Sequence, residues 1–171
     1  MLDDPEVILS LKKSLKKVTD FHLLLYLRLD EVLLGKITSV LQDHIIKFCV
    51  LGYKENKENF QCILDFIKRN KKSLKQIHFL TCDIDNGDLI SLSSIDKLNL
   101  TSVKLISCEK IDYIGLNILC AYQNNITELN LKSCDLADEA VFEIVKYLPR
   151  IKTLILMHCF YISEVSIFHY H

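Results

Sequence analysis

A nine-residue motif recurs four times in this chain of 171 residues and restricts the folds that it can adopt. Each copy follows the pattern apolar-x-x-apolar-x-apolar-x-x-Cys, and the copies end at Cys82, Cys108, Cys134 and Cys159. The cysteines are therefore separated by 26, 26 and 25 residues. A fixed period of this length is typical of proteins in which one supersecondary unit is stacked on the next.

The apolar spacing changes within each unit. Leu129 and Leu131 lie two residues apart, which places both side chains on one face of a short strand. The residues after Cys134 switch to the i, i+3, i+4, i+7 spacing of a helix stripe, namely Val141, Ile144, Val145 and Leu148. Stacked units bury both the strand face and the helix stripe. We therefore predict an α/β solenoid with a parallel sheet inside and helices outside.

A weaker copy of the motif precedes the four clear ones. Residues 45–53 fit the pattern with Tyr53 in the cysteine position, and the next segment carries a helix stripe of Phe60, Ile63, Leu64 and Ile67. We predict a repeat domain over residues 45–171 whose C-terminal repeat is incomplete. Residues 1–44 would form a separate N-terminal segment, either a helical cap or a first repeat, for which residues 24–32 offer a candidate copy.

The tract from Ser133 to Val141, continued from Leu148 to Leu154, resembles the cysteine-containing leucine-rich repeats of F-box/LRR proteins. The resemblance covers roughly residues 45 to 167 and implies a horseshoe whose concave strands hold a substrate. In that family an N-terminal F-box recruits a cullin-type ubiquitin ligase through a small adaptor. Residues 4–9 and 19–24 faintly resemble parts of an F-box, so a degenerate F-box is a third possibility for residues 1–44, although the chain has no tryptophan to match the one near the end of that motif.

The candidate binding residues follow from the alternation of the strands. In each copy, the positions between the core residues face away from the helices and so line the concave face. Apolar side chains among them form a cluster on a surface that should contact water, and such clusters mark binding sites. The predicted partner-binding residues are His78, Leu80, Lys104, Ile106, Glu128, Asn130, Lys132, Ile155 and Met157.

Other kinds of site are not indicated. The four repeated cysteines would form a line across neighbouring strands, whereas zinc needs ligands around one point, so we predict no metal site. No phosphate loop, nucleotide fingerprint or nucleophile elbow occurs, and we predict no catalytic residues, no cofactor and no enzymatic activity. The formal net charge of −1 does not favour nucleic acid or a membrane surface as partners.

The sequence therefore predicts a protein-protein interaction module with a protein ligand on the concave face. The resemblance implies substrate recognition for an SCF-type ubiquitin ligase, with an adaptor contact through the N-terminal segment. The alternative is a non-enzymatic repeat scaffold or assembly factor without a link to ubiquitin. Seven cysteines without disulfide-scaffold spacing, and an acidic start without a secretory signal, predict a cytoplasmic or nuclear location.

Overall fold

A computed structural model describes residues 17–24, 44–53 and 57–163, together with residues 10, 13–15, 32, 35, 36, 40 and 41. Within these residues the elements follow in the order β1 (Asp20–Leu24), β2 (Lys47–Leu51), α1 (Lys57–Asn70), β3 (Gln76–Leu80), α2 (Asn86–Ser93), β4 (Ser102–Ile106), α3 (Tyr113–Tyr122), β5 (Glu128–Asn130), α4 (Asp138–Tyr147) and β6 (Thr153–Ile155).

All six strands belong to one parallel sheet, and their order in space is their order in the chain. The register repeats the sequence period, because Ile77 lies opposite Val103 and Val103 lies opposite Leu129. From β2 onward, each strand is joined to the next by a helix. The predicted α/β fold with a parallel sheet is confirmed.

The core lies between one face of the sheet and the helices. The inward strand residues Ile77, Val103 and Leu129 are fully buried, as are the helix residues Ile63 and Ile144. The predicted helix stripes lie on these buried faces, except that Val145 is only half-buried. Burial of a large aliphatic side chain stabilises a fold by about 1.5–3 kcal/mol, so this continuous layer holds neighbouring units together.

Strand β1 extends the sheet into the N-terminal part of the chain. Phe21 lies opposite Phe48, and their rings stack with centroids 5.7 Å apart. Phe66 of α1 completes this cluster at 4.6 Å from Phe48. Most of the candidate copy at residues 24–32 lies outside the described residues, as do the F-box-like residues 4–9 and residues 164–171 at the C-terminus.

Each strand from β2 to β6 is followed by the same corner. One residue there has a positive φ, and the buried Tyr53 or repeated cysteine comes next; the φ angles are 74° at Gly52, 53° at Thr81, 53° at Ser107, 57° at Ser133 and 62° at His158. In the first four corners this residue donates its backbone N–H to the carbonyl of the next unit, at 2.8–2.9 Å. The corner thus joins each unit to its successor.

The repeated cysteine thiols lie against the preceding unit. Cys134 Sγ donates to the carbonyl oxygen of Leu105 at 2.9 Å, and Cys159 Sγ donates to that of Leu131 at 3.1 Å. Cys82 and Cys108 make the equivalent contacts at 3.5 and 3.6 Å. Burial raises the pKa of Cys82 and of Cys134 to about 11, so both thiols stay protonated near neutral pH and can donate.

No helix in the part of the chain that the structure describes is long and apolar enough to cross a lipid bilayer.

Candidate protein-binding surface

The sheet has a second face, which points away from the core and is called the outward face below. Strand alternation and the parallel register arrange its side chains in three rows across the strands. The first row contains Asp20, Lys47, Gln76, Ser102, Glu128 and Thr153; the second contains His22, Cys49, His78, Lys104, Asn130 and Ile155; the third contains Leu24, Leu51, Leu80 and Ile106.

The nine predicted binding residues lie on this face or at its edge. Those in β3 to β6 occupy the second and third rows, with Glu128 in the first. Lys132 and Met157 lie two residues past the ends of β5 and β6, where the third row would continue. The sheet therefore brings the predicted residues into one contiguous area of strands.

A short polar network joins β4 and β5 on the outward face. Ser102 Oγ donates to Glu128 Oε2 at 2.8 Å, and Lys104 Nζ donates to Glu128 Oε1 at 3.0 Å. The hydrogen bond from Lys104, followed by the one from Ser102, lowers the pKa of Glu128. This carboxylate is therefore held in place and ionised at neutral pH.

His78 lies near the middle of the outward face with an unusual environment. Only 7% of the residue is exposed, and its Nε2 atom has no hydrogen-bond partner among the described residues. Burial, followed by the charges of Lys104 and Lys47, lowers its pKa to about 4, while Glu128 acts in the opposite direction. The imidazole is therefore neutral at pH 7 and holds one nitrogen that could bond a further group.

The outward face is less exposed than the sequence predicts. His78 and Asn130 are buried, and Leu80, Ile106 and Ile155 are half-buried. Strands about 4.8 Å apart place side chains of neighbouring units against one another, so a small or flat side chain is covered by longer ones. Asn130 also folds back on its own strand, where its Oδ1 accepts from the backbone N–H of Lys132 at 3.0 Å.

Apolar surface remains accessible along the third row. Leu51, Leu80 and Ile106 are half-buried neighbours, and Leu24 at the β1 end is 62% exposed. Met157, beyond β6, is 54% exposed. The outward face thus combines polar first and second rows, with a fixed carboxylate at Glu128, and an apolar third row, which is the mixed composition of protein-protein contact surfaces.

The sequence overlooked the share of β2 in this face. Lys47, Cys49 and Leu51 continue the three rows, yet none was among the predicted binding residues. The degenerate copy at residues 45–53 already gave the signal, because the same alternate positions in that copy face outward. Ser102 was also missed, since a serine between two core residues carries no sign of its bond to Glu128.

The arrangement of side chains on this surface does not favour metal binding. The described residues contain no group of three or more His, Cys, Asp or Glu side chains that could hold one. His22, Cys49 and His78 lie in one row on successive strands, so they form a line and do not converge on a point. Burial also raises the pKa of Cys49, which disfavours the thiolate that a metal would need.

Two open hollows lie away from the predicted residues. One of about 340 Å³ is lined by side chains that include Asn124, Lys146 and Arg150. The other, of about 280 Å³, adjoins the corner after β5 and is lined in part by Glu109 and Phe160. Neither hollow contains a residue of the three rows.

Comparison with known proteins supports the fold alone. No protein-family model and no curated protein sequence matches the chain. A solved structure of the tropomodulin C-terminal domain from Caenorhabditis elegans is similar, with a TM-score of 0.61 and 11% sequence identity over 85% of this chain and 90% of that one. The described residues thus form an α/β structure with a parallel six-stranded sheet, which is consistent with a leucine-rich-repeat-like fold.

Proposed function

We propose that this chain is a non-enzymatic binding module, a leucine-rich-repeat solenoid that holds a protein partner on the outward face of its sheet. One observation carries the proposal. The half-buried apolar row of Leu51, Leu80 and Ile106 lies beside the second row, whose Lys104 is paired with Glu128 of the first row. A soluble surface does not need such an apolar row, whereas a protein interface does.

The test compares the outward face with the helix surface. Peptides are first selected from a random display library for binding to the full-length chain. Their affinity is then measured for the wild type, for a Leu80→Asp, Ile106→Asp double variant and for an Ile114→Asp control. Ile114 is 46% exposed on α3, away from the sheet. We expect the double variant to lose binding by at least about tenfold, while the control keeps it. Circular dichroism verifies that both variants fold.

Loss of binding in the helix variant alone would contradict the proposal, as would binding that neither variant changes. The same variants test the alternative of an assembly scaffold. A scaffold that used its helix surface would lose its partner in Ile114→Asp and not in the double variant.

The link to ubiquitin is a separate proposal that rests on the resemblance to F-box/LRR proteins. Its support is confined to sequence, and the F-box-like residues 19–24 coincide with strand β1 of the sheet. Purified cullin-ligase adaptor added to the full-length chain tests it directly. A complex seen by gel filtration is expected if the N-terminal segment recruits a ligase, and its absence would remove the ubiquitin role but leave the binding module.

A further inference from the structure

We infer that the outward face receives an acidic side chain of its protein partner at His78, between Lys47 and Lys104. This inference rests on the proposed function and names the chemistry of the partner at that site. The occupant is a carboxylate carried by a peptide segment, with a bulky apolar residue beside it.

The first support is the geometry of His78. It lies on β3, flanked in its row by Cys49 of β2 and Lys104 of β4. Its Nε2 atom is buried and lacks a partner among the described residues, and a buried polar atom without a hydrogen bond carries an uncompensated desolvation cost. A carboxylate oxygen that accepts a hydrogen bond from Nε2–H would remove this cost. Buried polar atoms of this kind require such an explanation.

The second support is the charge around the imidazole. Lys104 and Lys47 both disfavour a proton on His78, and His22 adds to their effect. Glu128 opposes them, but its carboxylate is already bonded to Lys104 and Ser102. The lysine charges therefore outweigh the single carboxylate near His78, and an incoming anion is the complementary group.

The state of Lys47 adds to this argument. It forms no ion pair within the described residues, although Asp20 lies opposite it on β1. Lys104, in contrast, shares its charge with Glu128 at 3.0 Å. Lys47 thus has an ammonium group available to a carboxylate of the partner, while Lys104 can extend the network that it already forms.

The third row indicates which type of residue lies next to the acidic residue in the partner segment. Leu80 lies two residues beyond His78 along β3, a separation of about 7 Å in a strand. Leu51 and Ile106 flank Leu80 on the adjacent strands. A partner segment whose carboxylate reaches His78 would therefore place a neighbouring apolar side chain on this trio. An acidic residue next to a large apolar one is the expected motif.

The experiment uses the library peptides that bind the full-length chain and that need Leu80 and Ile106. In each peptide, every Asp is changed to Asn and every Glu to Gln in turn, and affinities are measured for wild type, His78→Leu, Lys47→Met and Lys152→Met. We expect one amide substitution to weaken binding to wild type by about tenfold. That loss should shrink to less than about threefold in His78→Leu and in Lys47→Met, because these variants lack the receiving groups.

Lys152→Met is the matched control, since it removes the same charge from an exposed position outside the three rows. In Lys152→Met, the loss of affinity caused by the amide substitution in the peptide should be the same as in the wild type. If His78→Leu fails to fold, Lys47→Met alone decides the question, because Lys47 is only half-buried.

Peptides that need Leu80 and Ile106 but tolerate every amide substitution would overturn the inference and leave the proposed function standing. An equal effect of Lys152→Met would also overturn it, because the acid would then respond only to total charge. A phosphoserine peptide or an RNA oligomer that binds at least about tenfold more tightly than the acidic peptide would show that the site is built for phosphate. A library without any binder that depends on Leu80 and Ile106 would contradict the proposed function itself.

Discussion

At the scale of single residues, the repeated cysteine is a structural donor. Its thiol lies at the corner after a strand and donates to a carbonyl of the preceding unit, with the shortest contact from Cys134 to Leu105 at 2.9 Å. The side chain of Cys134 is also packed into the core, where only 3% of the residue is exposed. The cysteine column therefore connects successive units through both packing and hydrogen bonds.

Replacement of Cys134 by alanine should reveal both contributions. The variant loses the donor to Leu105 and leaves a small void, so we expect the free energy of unfolding to fall by about 1.5–2 kcal/mol. Urea titration measures the change. Cys62→Ala on α1 is the control, since Cys62 is half-buried and outside the column, and we expect it to cost about 0.5 kcal/mol. Equal losses in the two variants would contradict the role assigned to the column.

A second prediction at this scale concerns the contribution of His78 to the pH dependence of stability. Burial, with Lys104 and Lys47, lowers its pKa in the folded chain to about 4, against about 6.5 for an unfolded histidine. The unfolded state therefore takes up a proton first as the pH falls. The contribution of neutral His78 to stability is complete above pH 6.5 and is lost as the pH falls toward 4.

We expect wild type to lose on the order of 2 kcal/mol of stability between pH 7 and pH 4 that His78→Gln does not lose. Urea titrations across this range, analysed as the difference between the two proteins, give the value. A constant difference between wild type and His78→Gln at every pH would show that the imidazole is not held neutral.

The sequence predicted where residues lie better than what surrounds them. Alternation placed His78 and Asn130 on the outward face, and the register agrees. Their burial could not be predicted, because it depends on side chains of neighbouring strands that are about 26 residues away in the chain. The bond from Ser102 to Glu128 has the same cause and was missed for the same reason.

At the scale of elements, the strand corner determines how each unit turns toward its helix. A positive φ is natural for Gly52 but unfavourable for Thr81, whose side chain is branched at Cβ. Left-handed backbone costs an ordinary residue about 1–2 kcal/mol, and the chain accepts that cost at four of the five corners. The recurrence shows that the turn geometry is required by the stacking and is not chosen by the residue type.

Substitutions at two equivalent corners should change the stability of the protein in opposite directions. Thr81→Gly relieves the strained backbone and, after the added flexibility of the unfolded chain, should stabilise the protein by about 0.5–1 kcal/mol. Gly52→Ala introduces the strain and should destabilise it by about 1 kcal/mol. Thermal unfolding shows whether each variant unfolds at a higher or a lower temperature than the wild type. Destabilisation by both changes would mean that side-chain contacts, and not backbone strain, control the corners.

Elements with a complete motif were predictable from sequence, and the first strand was not. Helix α4 lies where the stripe of Val141 and Ile144 places it, and β3 to β6 lie within their nine-residue copies. Strand β1 has only Phe21 and Leu23 facing the core and has no cysteine after it. Its pairing is decided by contact with Phe48 and Phe66, which a local pattern cannot show.

At the scale of the whole molecule, each unit depends on its neighbours. The sheet pairs each strand with the units before and after it, and the packed helices α2, α3 and α4 follow the same order. The outward face exists only because these strands are parallel and in register. Both the proposed partner surface and the inferred acid site at His78 depend on that arrangement.

Disulfide trapping between β5 and β6 tests the arrangement most directly. Glu128 lies opposite Thr153, and neighbouring strands place such pairs at about 4.8 Å, within the reach of a disulfide. We expect a Glu128→Cys, Thr153→Cys variant to form the bond under mild oxidation, as shown by peptide mapping, while Glu128→Cys with Ile155→Cys does not. Efficient bonding of the second pair and not the first would indicate antiparallel strands and would contradict the account.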